Sequence, residues 1–210
     1  MNLKTSDTIF NSERVLYSTE LHYHNFNHVV DTLNYAKDII KKCDDKNIEY
    51  DKKIICHAIL FHDVAYDVDS SKKGFKNKES YSAFLAAKVL SEQGEHIDHI
   101  EEVIKAILCT NIDAKSHSNN QKIVRAADLS GLVSPYPEFK KKTVDLYKER
   151  VFLLGKKISW TQYKTETFKI IEKFLELRIE LDIEMFSYAN YMFHNRVFQN
   201  LDKLTKDTIE

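Results

Sequence analysis

Apolar positions recur at helical spacing along almost the whole chain. Val29, Val30, Leu33, Ala36, Ile39 and Ile40 share one face of a helix that begins after His24-Asn25. Ahead of it, residues 7–19 read as a short first helix. A third helix runs from Asp51, a suitable N-cap, through Ile54, Ile55, Ala58, Ile59 and Leu60 to His62-Asp63. It is apolar nearly all round, which places it at the centre of a fold. A polar loop carrying Ser70-Ser71-Lys72-Lys73-Gly74 and Lys76 separates it from a helix spanning Asn77 to Gly94, a glycine suited to a left-handed closing position.

A helix from Ile97 to Cys109 follows, then a polar stretch, Asn111 to Asn120, that reads as an exposed loop. A short helix leads into Ala126-Ala127-Asp128-Leu129-Ser130. Pro135 and Pro137 interrupt the chain before a helix from Glu138 to Leu154, with Gly155 beyond its end. The C-terminal third reads as two long helices. Phe168, Ile171 and Leu175 form one stripe, Phe174, Leu177, Leu181 and Met185 another, and Phe193, Val197, Leu201 and Leu204 a third. These stripes read as core, with a homodimer face as the alternative. The pattern predicts an all-α fold in one domain over 1–210, with a core over 20–135 and helices 136–206 packed on it.

Composition supports this. Four Gly and two Pro in 210 residues are too few for the turns of a strand-rich fold. With 43% apolar and 30% charged residues, the chain has the make-up of neither a disordered nor a membrane protein. A net charge of −1 gives no support for nucleic-acid binding. Met1 to Phe10 is polar and reads as no signal peptide. Cys43, Cys56 and Cys109 show no CxxC spacing and read as reduced thiols, so a cytoplasmic location is expected.

The chemistry lies in a dispersed set: His28, the adjacent pair His62-Asp63, and Asp128, each at or near a predicted helix end. Two imidazoles and two carboxylates suit a divalent ion such as Mn, Fe, Co, Ni or Zn, with Mg as a harder alternative. Such an ion lowers the pKa of a bound water and takes up charge on a phosphoryl oxygen, the two requirements of phosphoester hydrolysis. A lone His-Asp dipeptide is weak; the order His, His-Asp, Asp on separate helices is far more specific.

On these residues the chain resembles the HD superfamily of metal-dependent phosphohydrolases, most closely a small bacterial branch of it. The likeness rests on Tyr23-His24-Asn25-Phe26-Asn27-His28, on Ala58-Ile59-Leu60-Phe61-His62-Asp63-Val64-Ala65-Tyr66-Asp67, on Glu79-Ser80-Tyr81-Ser82-Ala83 and on Ala127-Asp128-Leu129-Ser130. A weaker echo lies in Asn195-Arg196 and Asn200-Leu201. The resemblance implies an HD-domain helical bundle with metal on His28, His62, Asp63 and Asp128. It also implies a small phosphorylated substrate, a nucleotide by preference. The chain departs from the branch at Lys78, where Asn usually precedes the Glu, and after Thr110, where a His usually follows and Asn111-Ile112-Asp113 stand instead. These departures leave open a nucleotide sensor that binds without turnover, or a helical interaction protein with a vestigial site.

Other residues carry paired readings. His24, one turn before His28, contacts phosphate or orients a ligand, or is simply a half-exposed histidine at a helix start. Asp67 accepts a proton from the attacking water or fixes a histidine tautomer, or merely opens a loop. Glu79 is a base or supports the ligands from behind, or favours a helix dipole. Lys72, Lys73, Lys76 and Lys78 attract a phosphorylated substrate or are solvated. Thr110 and His117 lie near the same mouth by the family analogy. His57 reads as packed, His96 and His99 as surface, and His194 as a structural hydrogen-bonding residue.

Overall fold

The computed structural model describes residue 14 and residues 16–64, 66–176 and 183–208, with side chains omitted over 183–191. The described residues are all helix, turn and loop, with no strand among them. The chain divides into two compact units, 1–128 and 129–210.

The first unit contains α1 (Phe26–Asp45), α2 (Lys52–Phe61), α3 (Lys78–Glu92), α4 (Ile97–Leu108) and most of α5 (Asn119–Leu129). Side-chain caps set several of the helix starts. Asn25 Oδ1 accepts from Asn27 N–H at 2.9 Å, and Asn77 Oδ1 accepts from Ser80 N–H at 2.9 Å. Asp51 Oδ1 accepts from the N–H groups of Lys53 and Ile54 at 2.8 and 3.1 Å, which satisfies two donors orphaned at the start of α2. Every residue of α2 from Ile54 to Phe61 is buried, so the helix that was apolar all round does occupy the core. α4 packs against both α2 and α3, and its Ile100, Val103, Ala106 and Ile107 close that core. Beyond α3, Gly94 takes φ +78°, the left-handed turn expected of it.

The expected helix over 7–19 lies mostly outside the described residues. Residues 16–25 form turns and bends instead of helix. Within them, Tyr17 is buried and its hydroxyl donates to the Leu60 carbonyl at 3.0 Å, meeting an acceptor left free near the end of α2. The loop expected over Asn111 to Asn120 ends early, because α5 already begins at Asn119. There Asn119 Nδ2 donates to the Glu49 carbonyl at 2.8 Å, and Asn120 Oδ1 accepts from Asp51 N–H at 2.7 Å. Long-range pairing thus recruits two polar residues whose local pattern reads as loop.

The second unit contains a 3-10 turn (Ser130–Val133), α6 (Tyr136–Leu154), α7 (Trp160–Glu176) and α8 (Ile183–Lys206). α6 starts at Tyr136 and not at Glu138: Pro137 sits in the first turn, where a missing N–H costs nothing. Phe139, Ile171, Leu175, Val197, Leu201 and Leu204 form the core of this unit, with Phe168 and Phe193 packed on it. The side chains of Leu177, Leu181 and Met185, in the other stripe, lie outside the described residues. Asn200 is buried and donates to the carbonyls of Leu132 and Ser134, both at 3.0 Å, which fixes the 3-10 turn against α8. No helix among the described residues is long and apolar enough to cross a membrane.

Candidate metal centre

Three helix ends of the first unit deliver one side chain or pair each to a common point. His28 stands in the first turn of α1, His62 and Asp63 follow the last residue of α2, and Asp128 ends the last turn of α5. One ligand atom from each of the four lies within 4.8 Å of all the others. His28 Nε2 is 3.1 Å from Asp128 Oδ1 and 3.3 Å from His62 Nε2. His62 Nε2 is 3.1 Å from Asp63 Oδ2 and 3.4 Å from Asp128 Oδ1, and His28 Nε2 is 3.6 Å from Asp63 Oδ2. Bonds of about 2.1 Å to a shared ion place neighbouring donors roughly 3.0–3.4 Å apart, so four of these separations match the edges of a coordination polyhedron and the His28–Asp63 distance of 3.6 Å is slightly longer.

The local structure supports ligation. The Ile59 carbonyl, which can only accept, takes a 2.8 Å bond from His62 Nδ1, so the neutral ring turns the lone pair of Nε2 to the cluster. His28, His62 and Asp63 are buried, and the Asp128 side chain is 21% exposed. Burial disfavours charge on every member, yet the opposite charges at contact distance outweigh it. Burial lowers the His62 pKa, but Asp63 and Asp128 overcompensate and carry it up to about 10. The same opposition raises His28, whose bonds to Asp128 and Asp63 exceed its burial. Burial would raise both carboxyl groups; His62, Lys78 and His24 hold Asp63 well below the usual range, and His28 and His62 do the same for Asp128. Imidazoles must be neutral to bind a metal, so an ion entering here displaces protons. A buried group of two imidazoles and two carboxylates therefore fits a divalent ion by both spacing and donor type.

The other residues singled out in the sequence fall at differing distances from this group. His24 Nε2 is 3.9 Å from Asp63 Oδ2, and its ring stacks on Tyr66 with centroids 3.4 Å apart. Lys78 Nζ donates to Asp63 Oδ1 at 2.6 Å, lies 3.4 Å from Glu79 Oε1, and sits 4.7 Å from the centre of the Tyr66 ring. Glu79 is buried and its Oε2 accepts from Asn111 Nδ2 at 3.1 Å. Asp67 is exposed and makes no hydrogen bond or ion pair with the described residues. Lys72 is 81% exposed and pairs with Asp69 at 3.3 Å. Thr110 is buried, with its hydroxyl donated to the Ile107 carbonyl at 2.8 Å. His117 lines a groove of about 490 Å³ with Lys105, Cys109, Lys115 and Gln121, and none of the four clustered residues belongs to that groove.

Tyr66 and Asn111 are the residues that reading the sequence for function passed over. Asn111 opens the stretch Asn111-Ile112-Asp113 that stands where the resemblance leads to a histidine shortly after Thr110, and that departure is its signal. Two histidines differ from their reading: His99 is half-buried and hydrogen-bonded to His57 at 2.9 Å, and His194 Nε2 is buried with no hydrogen-bond partner among the described residues.

The family model of the HD domain matches residues 25–130, half of the chain, and all four clustered residues fall inside that match. The chain belongs to the HD-domain family. Comparison with curated proteins finds no match.

Proposed function

We propose that the protein is a divalent-metal-dependent phosphohydrolase acting on a small phosphorylated molecule, with nucleotides as the first class to test. The observation that carries this reading is the buried set of two imidazole nitrogens and two carboxylate oxygens. His28, His62, Asp63 and Asp128 would hold the ion. When bound, it supplies a water of lowered pKa and positive charge for a phosphoryl oxygen. The Ile59 carbonyl orients His62 for that task. Glu79, buried and fixed by Asn111, is the better-supported proton acceptor; Asp67, exposed, is the alternative. Among the proposed substrate contacts, His24 has support from its approach to Asp63, whereas Lys78 is already engaged by Asp63 Oδ1; Lys72, Thr110 and His117 have no contact of that kind.

The test is elemental analysis of the purified protein and of His62→Ala, followed by a nucleotide hydrolysis panel with whichever ion is found. About one equivalent of a transition metal, lost in the variant, together with product formation, is the expected result. No metal in either protein after incubation with Mn and Zn overturns the reading. The engagement of Lys78 with Asp63 favours a second reading, a sensor that binds a nucleotide without turnover. Metal and nucleotide bound with no product over hours would establish it.

A further inference from the structure

Asp63 has two carboxylate oxygens, and the fold gives each a different partner. Oδ2 faces the imidazoles, 3.1 Å from His62 Nε2 and 3.6 Å from His28 Nε2. Oδ1 accepts the 2.6 Å bond from Lys78 Nζ. Lys78 is the first residue of α3, directly after the Asn77 cap, so a helix start fixes its backbone. Its ammonium is confined on two further sides, by Glu79 Oε1 at 3.4 Å and by the face of Tyr66 at 4.7 Å. Tyr66 is itself stacked on His24. The lysine is therefore committed to the protein before any substrate arrives.

We propose that Lys78 is a positioning residue that restricts Asp63 to a single-oxygen ligand and so keeps a position at the ion open for water or a phosphoryl oxygen. The inference rests on the metal-dependent reading above. A carboxylate whose two oxygens are both free can bind a cation through either one or through both. An ammonium at 2.6 Å from Oδ1 occupies the oxygen that chelation would need. It also draws electron density from the carboxylate, which leaves a bound cation with more of its positive charge. Removing Lys78 has a signature that mere structural support would not have. It deletes a positive charge near the site and frees Oδ1, so a divalent ion should bind more tightly and with a fuller shell.

Co(II) serves as the probe, titrated calorimetrically and by visible absorption into the full-length metal-free protein, Lys78→Met and Lys78→Arg. Lys78→Met is expected to bind Co(II) roughly tenfold more tightly, since a like charge close by has been removed. Its visible band should weaken as the second oxygen raises the coordination number. Lys78→Arg should keep both the affinity and the band of the parent, because a guanidinium still donates to Oδ1. Lys78→Ala repeats the comparison should the Met variant not fold. Unchanged or weaker binding with an unchanged band in these neutral variants overturns the inference and leaves the metal-dependent reading intact. Failure of the parent protein to take up Co(II) overturns both.

Discussion

Two pairs of facing imidazoles draw on α2, one from within it and one from just beyond its end, and they have opposite electrostatic fates. His28 and His62 approach to 3.3 Å at the C-terminal end of α2; His57, within α2, approaches His99 of α4 to 2.9 Å. Burial opposes protonation in both pairs. The first pair has Asp63 and Asp128 at contact distance, and its pKa values rise. The second has no carboxylate in contact: Glu95 and Asp51 act from further away, against Lys53 and the partner ring. Burial then prevails, the His57 pKa falls to about 4, and His99 falls as well. Imidazole density is thus a poor guide to a metal centre. The carboxylates distinguish a cation site from a neutral hydrogen-bonded pair.

Loss of a carboxylate beside the first pair has the largest expected effect. Asp128→Ala should reduce Mn affinity by more than roughly 100-fold, beyond the loss seen when only a supporting partner of a ligand is removed. Calorimetric titration checks this, and parental affinity in the variant would remove Asp128 from the ligand set. The second pair predicts acid sensitivity. His57 has a folded pKa below its unfolded value, so the unfolded chain takes up the proton first and stability falls as pH drops from 6.5 towards 4. With His99, Glu95, Lys53 and Asp51 around it, His57 alone should cost about 2 kcal/mol between roughly pH 7 and pH 5. Urea unfolding at the two pH values should show His57→Leu losing correspondingly less than the parent; equal losses would refute the assignment. The smallest effect sharpens the part the two sites share. Asp51→Ala removes the cap of α2 and should cost about 1 kcal/mol by thermal unfolding, with metal stoichiometry unchanged.

What was legible in the sequence follows the range of each interaction. Asp51 and Asn77 act on N–H groups two or three residues away, so their caps could be read from the local pattern. The fully buried α2 was visible because its apolar residues have no polar face. The four clustered residues were found through their order along the chain and the family resemblance, since no local rule joins His28 to Asp128. The His57–His99 pair and the Lys78–Asp63 bond are not legible for the converse reason. Both exist only because α4 and α3 pack against α2, and no spacing rule reports that. The sequence places Lys78 among the lysines of a basic loop, solvated or facing substrate, yet its ammonium lies on a buried carboxylate.

Arg125 is buried one turn before Asp128 on α5, and its guanidinium donates to the carbonyls of Asn111 and Ala114. Those two acceptors flank a span whose length is consequently fixed. An inserted residue between 111 and 114 would force the arginine to release one carbonyl or drag Asn111 away from Glu79. Among relatives, that short span should keep its residue count even where its sequence drifts.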